Sequence, residues 1–369
     1  MPDLRRVFLL GTGAFLPGPP VATDEIESVL GDLPDAPATV AAFSRRAGPR
    51  IAEESGVRRR HFAVDRATGR LTHDFTDLAR EACVAAMDDA SIAPEAVDLL
   101  VLAAPYVDHA TPPGSVVLQE KLGIERCAEL SIHSNCSGVG KAVEAAFDAL
   151  RSGRHRTSVV AYSQLSSLYL RAAYLRQPSL SKRQALLRWI LSDGAGAIVL
   201  QADGDDAGEH ELVGTHVESI GGSLPPAMTA GIGAGDLRRG GCELPEAFLA
   251  GLHHLDQDFP AVGRLAVETL EAGTDRMLER LGLTRREIDH FVFSTPTTQL
   301  FESSAARREG IPAERLRFRC ADSGYCGGAT VLVHLDEMAR SGELRPGQLV
   351  ACASVESSKW MTGGFVVRW

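Results

Sequence analysis

Three features of this 369-residue sequence predict an α/β fold: apolar runs too continuous for a one-sided sheet, strand and helix patterns in alternation, and a unit that recurs in the second half. Val97-Asp98-Leu99-Leu100-Val101-Leu102-Ala103-Ala104 is an almost unbroken apolar run, the pattern of a strand covered on both faces. Helical spacing precedes it from Thr76 to Ala90, carried by Leu78, Cys83, Val84 and Met87. The same order of helix, Asp-containing loop and apolar strand returns around residues 262–293, which reads as two fused copies of one α/β unit despite their low residue identity. The polar stretch Asp203 to Glu211 divides the copies, giving residues 1–205 and 206–369.

The elements follow in chain order. Val7-Phe8-Leu9-Leu10 is a short strand running into Gly11-Thr12-Gly13. Leu16 stands where a dinucleotide fingerprint needs its third glycine, and Pro17 denies the helix that should follow, so a nucleotide site is discarded. Residues 24–60 read as helical and loop pieces, and Pro113 to Leu122 as a short helix. Strands are expected at Ser158–Ser163 and after the glycine turn Asp193–Ala197, separated by an aromatic-rich, largely helical insertion over 164–190. In the second copy, a strand near Leu212–Ile220 gives way to an irregular Gly/Pro-rich stretch ending near Phe259. Helices are expected over Val262–Leu281, Gln299–Arg308 and Thr330–Ser341, and strands over His290–Ser294, Gly347–Val355 and Gly364–Trp369.

Composition removes several function classes. A hydrophobic share of 44% and a charged share of 23% are those of an ordinary soluble enzyme, and no run approaches the roughly 20 apolar residues that span a bilayer. The apolar run after Arg5-Arg6 breaks at Gly11, which argues against a signal peptide and for the cytoplasm. Seven scattered cysteines show neither metal-ligand pairs nor a disulfide framework and read as reduced thiols. The net charge of −10 argues against a nucleic-acid partner.

One stretch carries chemistry. In Glu129-Leu130-Ser131-Ile132-His133-Ser134-Asn135-Cys136-Ser137-Gly138, a strand turns over a cysteine directly into a helix. Unpaired N–H groups at a helix start stabilise a thiolate and lower its pKa, and the surrounding small residues leave space for an acyl group. The competing reading of Cys136 is a buried, inert thiol.

These landmarks together resemble the β-ketoacyl-acyl-carrier-protein synthase III group of the thiolase superfamily. The matching pieces are Gly56-Val57-Arg58-Arg59-Arg60-His61, His109-Ala110-Thr111-Pro112 with Gln119 and Leu122-Gly123, the Cys136 turn, Asp193-Gly194-Ala195-Gly196-Ala197, and Gly347-Gln348-Leu349-Val350. The resemblance implies a five-layer αβαβα fold of two similar halves and a homodimer. It also implies an acyl-cysteine formed from an acyl-CoA or acyl-carrier-protein thioester as substrate, with no bound cofactor and no metal. Arg58, Arg307 and Arg308 are the candidates for coenzyme or carrier contact; solvated surface is the alternative.

The departures from that family are informative. Where its catalytic His is expected stands Thr295, or Ser294 if the register slips by one, and where its Asn is expected stands Tyr325. A hydroxyl can donate to an oxyanion but cannot cycle through a cation near neutral pH, so a malonyl-decarboxylating condensation is weakened. The glycine-rich oxyanion loop is replaced by Val355-Glu356-Ser357-Ser358-Lys359-Trp360, and Thr111 replaces an aromatic that limits the partner's acyl pocket, implying a wider one. The reading that follows is an acyltransferase of secondary or fatty-acid-like metabolism. Cys136 takes the acyl group, the N–H of Cys136 and of the turn Ser357, Ser358, Lys359 holds the oxyanion, and a small-molecule amine or alcohol accepts. His133, Glu356 and Lys359 are the candidate bases, with Thr295 and Tyr325 as binding or oxyanion groups. A ketosynthase with a rebuilt catalytic set and a non-catalytic acyl-binding or partner subunit are the alternatives.

Overall fold

The computed structural model describes residues 4–203, 209–305 and 315–369. Its central strands are β1 (Val7–Phe15), β2 (Leu99–Ala104), β3 (Ala128–His133), β4 (Thr157–Gln164), β5 (Gly194–Ala202), β6 (His210–Ser219), β7 (His290–Phe293), β8 (Leu349–Glu356) and β9 (Met361–Arg368). They are joined in the order β7-β8-β9-β6-β1-β5-β4-β2-β3. An isolated parallel bridge sets Leu316 beside Phe291 of β7, where β3 lies beside β2 in the first half. With that bridge the two halves share one strand order and one set of directions. The β2/β4 and β7/β8 pairs are parallel; β4/β5, β5/β1, β8/β9 and β9/β6 are antiparallel. Among the described residues, the pairs Phe8↔Glu211 and Leu9↔His210 join the halves at β1/β6. The boundary placed at 205/206 lies outside the described residues.

Helices complete the five layers. The helix α1 (Phe75–Asp89) covers the outer face of the first half, and α3 (Phe259–Arg280) the outer face of the second. Between the sheets run α2 (Gly138–Arg151), which packs on β2 and β4 on one side and β6 and β9 on the other, and α4 (Ala329–Arg340), which packs on β1, β5 and β7. A helix sandwiched in this way has no polar side to offer. Accordingly every residue of α4 from Ala329 to Asp336 is buried. β2 is buried at all six positions, as its apolar run requires.

The Gly11-Thr12-Gly13 run serves packing. A Cβ on Gly13 would sit 2.3 Å from the Ala82 carbonyl oxygen of α1, and one on Gly11 2.6 Å from that of Ala86, so these glycines let helix and strand backbones touch. The insertion 164–190 forms two short helices, Ser167–Leu170 and Lys182–Leu187, with a 3-10 turn between them. The irregular stretch 221–258 holds two more short helices and the small ribbon Met228–Thr229 with Asp256–Gln257. His254 clamps the two segments together. Its Nε2 accepts the Arg176 N–H (2.9 Å), so Nδ1 carries the proton and donates to Gln184 Oε1 (3.2 Å).

Candidate active site

β3 ends at His133, Ser134 to Ser137 turn, and α2 starts at Gly138 with Ser137 at its N-cap. The small residues of this turn are sterically required: a Cβ on Gly138 would lie 3.0 Å from the Tyr162 ring, and one on Gly140 would meet Gly363 carbonyl carbon at 2.4 Å. The second half supplies the matching turn. Tyr325 precedes α4 as Cys136 precedes α2, and a Cβ on Gly328, the N-cap of α4, would come within 2.7 Å of the Cys136 carbonyl oxygen. Two helix starts from the two copies thus face each other.

Cys136 Sγ and Tyr325 Oη lie 3.0 Å apart. Ser294, immediately after β7, approaches the same Oη at 3.5 Å while donating its own proton to the Gly327 carbonyl (2.8 Å). Of the two residues offered for the missing His position, Ser294 reaches Tyr325; Thr295 lines the cavity and its carbonyl accepts the Cys320 thiol. Burial pushes the Cys136 thiol up to about 12; the Tyr325 hydroxyl acts against this, the Glu356 carboxylate adds to it, and the Cys136 N–H opposes it. The expected thiolate-stabilising helix start is thereby outweighed, because desolvation and a nearby anion both favour the neutral thiol. Burial also raises the Tyr325 phenol well above its ordinary value.

A cavity of about 170 Å³ opens at this sulfur. Asn135, Ser294, Thr295, Tyr325 and Ser357 stand at its reactive end, and Phe259, Val262, Ala266, Val267 and Leu270 of α3 line its apolar wall. Tyr169 and Ile190 from the first insertion and Met228, Ala230, Leu255 and Gln257 from the second also line it, and among the described residues the lining contains no Lys, Arg, His, Asp or Glu.

The remaining candidates divide. Ser357 lines the cavity, and its N–H has no partner among the described residues. Ser358 donates instead to Glu356, and exposed Lys359 to the Leu224 carbonyl, so neither side chain serves the sulfur. The Ser357–Trp360 turn is held at a left-handed residue, Trp360 (φ 60°), whose buried indole donates to Pro225 O at 2.9 Å. His133 is exposed, and its Nε2 pairs with the Pro105 carbonyl (3.0 Å) rather than with Cys136. Thr111 is exposed and absent from this chain's own cavity lining. Arg58 is exposed and paired with Asp322. Arg307 and Arg308 lie outside the described residues.

Glu356 is 2% exposed. Its Oε2 accepts hydrogen bonds from Ser134 and Ser137, both at 2.6 Å, and Lys141 donates to Ser134 Oγ at 2.7 Å. Sequence reasoning offered this glutamate as a base, but the hydroxyl shell around it appears only when residues more than two hundred positions apart meet.

Comparison with known proteins finds similar chains. Residues 278–369 match the family described as 3-oxoacyl-[acyl-carrier-protein (ACP)] synthase III C terminal. Among solved structures, the tetronic acid condensing enzyme AbyA1 superposes with a TM-score of 0.78 at 25% identity, covering 98% of this chain and 100% of its own. The 3-oxoacyl-(acyl carrier protein) synthase III FabH of Pseudomonas aeruginosa PAO1 gives 0.75 at 23% identity, covering 99% and 98%. Xanthomonas campestris OleA with bound lauric acid and lauroyl-CoA gives 0.78 at 16% identity, covering 99% and 97%. No helix among the described residues is long and apolar enough to cross a membrane.

Proposed function

We propose that this chain, a synthase III-like protein of the thiolase superfamily, is an acyltransferase that loads an acyl group onto Cys136 and passes it to a neutral nucleophile. The observation that carries the reading is the hydroxyl chain at the sulfur. Ser294 gives its proton to Gly327 O at 2.8 Å and stands 3.5 Å from the Tyr325 hydroxyl, whose oxygen in turn lies 3.0 Å from the Cys136 sulfur. In the loading step the Cys136 sulfur bonds to the thioester carbonyl carbon and the carbon–sulfur bond to the carrier breaks. The thiol proton passes through the Tyr325 hydroxyl to the departing carrier sulfur, leaving acyl-Cys136 and free carrier thiol. The Ser357 N–H, unpartnered at the cavity end, supports a role on the developing oxyanion, where one donor is worth about 3–4 kcal/mol. A hydroxyl set of this kind suits an amine or alcohol acceptor, which needs a proton relay and no decarboxylation.

The donor is read as a CoA or carrier-protein thioester with an apolar acyl chain. The OleA structure holds lauric acid and lauroyl-CoA, and the apolar α3 wall here is suited to a chain of that kind. A homodimer belongs to the proposal as well. β3 is a sheet edge with Leu130 43% exposed, and the exposed Thr111 loop stands beside it, a placement suited to a second copy.

A second reading, carbon–carbon condensation, is favoured by one finding, the 25% identity to AbyA1 over 98% of the chain. Intact-mass analysis after incubation with acyl-CoA donors tests the first step: an adduct is expected, and none in Cys136→Ala. Discharge of that adduct by amines or alcohols supports the transfer reading. Discharge by malonyl carrier protein with release of carbon dioxide replaces it with condensation, and absence of any adduct favours the partner-subunit alternative.

A further inference from the structure

The carboxylate of Glu356 has no catalytic contact, yet it is built into the nucleophile turn. It is buried, has no ion pair among the described residues, and is satisfied by the hydroxyls of Ser134, Ser137 and Ser358. A carboxylate withdrawn from water is expensive unless hydrogen-bonded, and three hydroxyls supply those bonds here. Ser137 occupies the N-cap of α2 but makes no side-chain cap bond to the helix; its hydroxyl is turned to Glu356 instead. The anion is therefore tied to the start of the helix whose partial positive charge would otherwise act on the sulfur.

We infer that Glu356 is a positioning residue that opposes the helix start and keeps Cys136 in its thiol form until a thioester is seated. Its partners flank the nucleophile in sequence, Ser134 two residues before Cys136 and Ser137 one after. Tyr325 from the α4 turn touches the sulfur, and Tyr162 from β4, Cys326 beside α4 and Glu356 from β8 are the further titratable groups close enough to couple to it electrostatically. Glu356 is the acidic member of that set, and its charge pushes the thiol in the same direction as burial does. Lys141, which donates to Ser134, is the neighbouring cation, and its charge is of the opposite sign. A thiol held neutral resists adventitious alkylation and oxidation, and it surrenders its proton only along the Tyr325 path as the new bond forms. The role rests on Cys136 being the acyl carrier, but its test reads the thiol itself.

The rate of Cys136 alkylation by iodoacetamide is measured against pH by intact mass on folded protein. Glu356→Gln is expected to move the midpoint of the profile down and raise the neutral-pH rate roughly tenfold, while the charge-conserving Glu356→Asp restores the parent profile. Lys141→Met is expected to move the midpoint up and slow the reaction, a direction that unfolding cannot imitate because an exposed thiol reacts faster. Midpoints that stay fixed, or that move the same way in Glu356→Gln and Lys141→Met, overturn the inference. A loss of acyl loading with the alkylation shifts intact would instead count against the acyltransferase reading alone.

Discussion

Replacing Tyr325 with phenylalanine removes one oxygen from the site and leaves the ring in its cluster with Leu191 and Cys320. In the resting protein that oxygen makes a 3.0 Å contact with a thiol and a 3.5 Å contact with Ser294, so its removal costs the fold no more than about 1 kcal/mol. During loading the demand is larger, because the Cys136 thiol, held up to about 12 by burial, must lose its proton as sulfur attacks. Deleting a positioned proton acceptor slows such a step by about 100- to 10,000-fold, or roughly 2.7–5.4 kcal/mol of barrier. Rapid-quench single-turnover loading from an acyl-CoA, read by intact mass, separates the two quantities once a denaturant melt has fixed the stability change. Tyr325→Phe loading at the parent rate would refute the hydroxyl chain as the proton path. A large stability loss would show instead that the phenol is a structural group.

Two further outcomes concern the scaffold. Gly140→Ala places a Cβ 2.4 Å from Gly363 carbonyl carbon and 2.5 Å from Gly364 nitrogen; because both are backbone, the overpacking loss of about 1–3 kcal/mol outweighs the roughly 1 kcal/mol gained in helix propensity. A denaturant melt checks it, and a variant as stable as the parent would contradict the close contact. Acid stability is governed in part by His334, pushed down to about 3 by burial, and His254, pushed down to about 4. Between pH 6.5 and about 4 the unfolded chain binds their protons and the native chain does not, so stability falls as pH drops, by at most about 1.4 kcal/mol per unit for each. Asp193, raised to about 6 by burial, opposes this in the same window, since the native state then holds the extra proton. Melts of His334→Gln across that range should show a shallower acid slope, and an unchanged slope would contradict the buried neutral ring.

The strands were readable because burial on both faces leaves a signature in the chain itself, as at Leu99–Ala104, and the repeat was readable because each copy presents its elements in the same order. The Cys136 turn was readable for a related reason: a strand that passes directly into a buried helix needs small residues, and Gly138 and Gly140 mark that need locally. The protonation state of Cys136 was not. The desolvation that raises the thiol comes from walls contributed by distant segments, and the opposing anion arrives from the far end of the chain. Ser294 and Thr295 could not be told apart from sequence, since a one-residue slip at a strand end exchanges which side chain faces the neighbour. His133 misled by proximity: three residues from a nucleophile in sequence, it is on an edge strand with its ring given to Pro105.

The apolar wall of the cavity has a consequence for how such a protein diversifies. Val262, Ala266, Val267 and Leu270 stand on one stretch of α3, which belongs to the second half of the chain, whereas the sulfur belongs to the first. On the proposed function, trading a methyl group on that face would change which chain is admitted without touching Cys136.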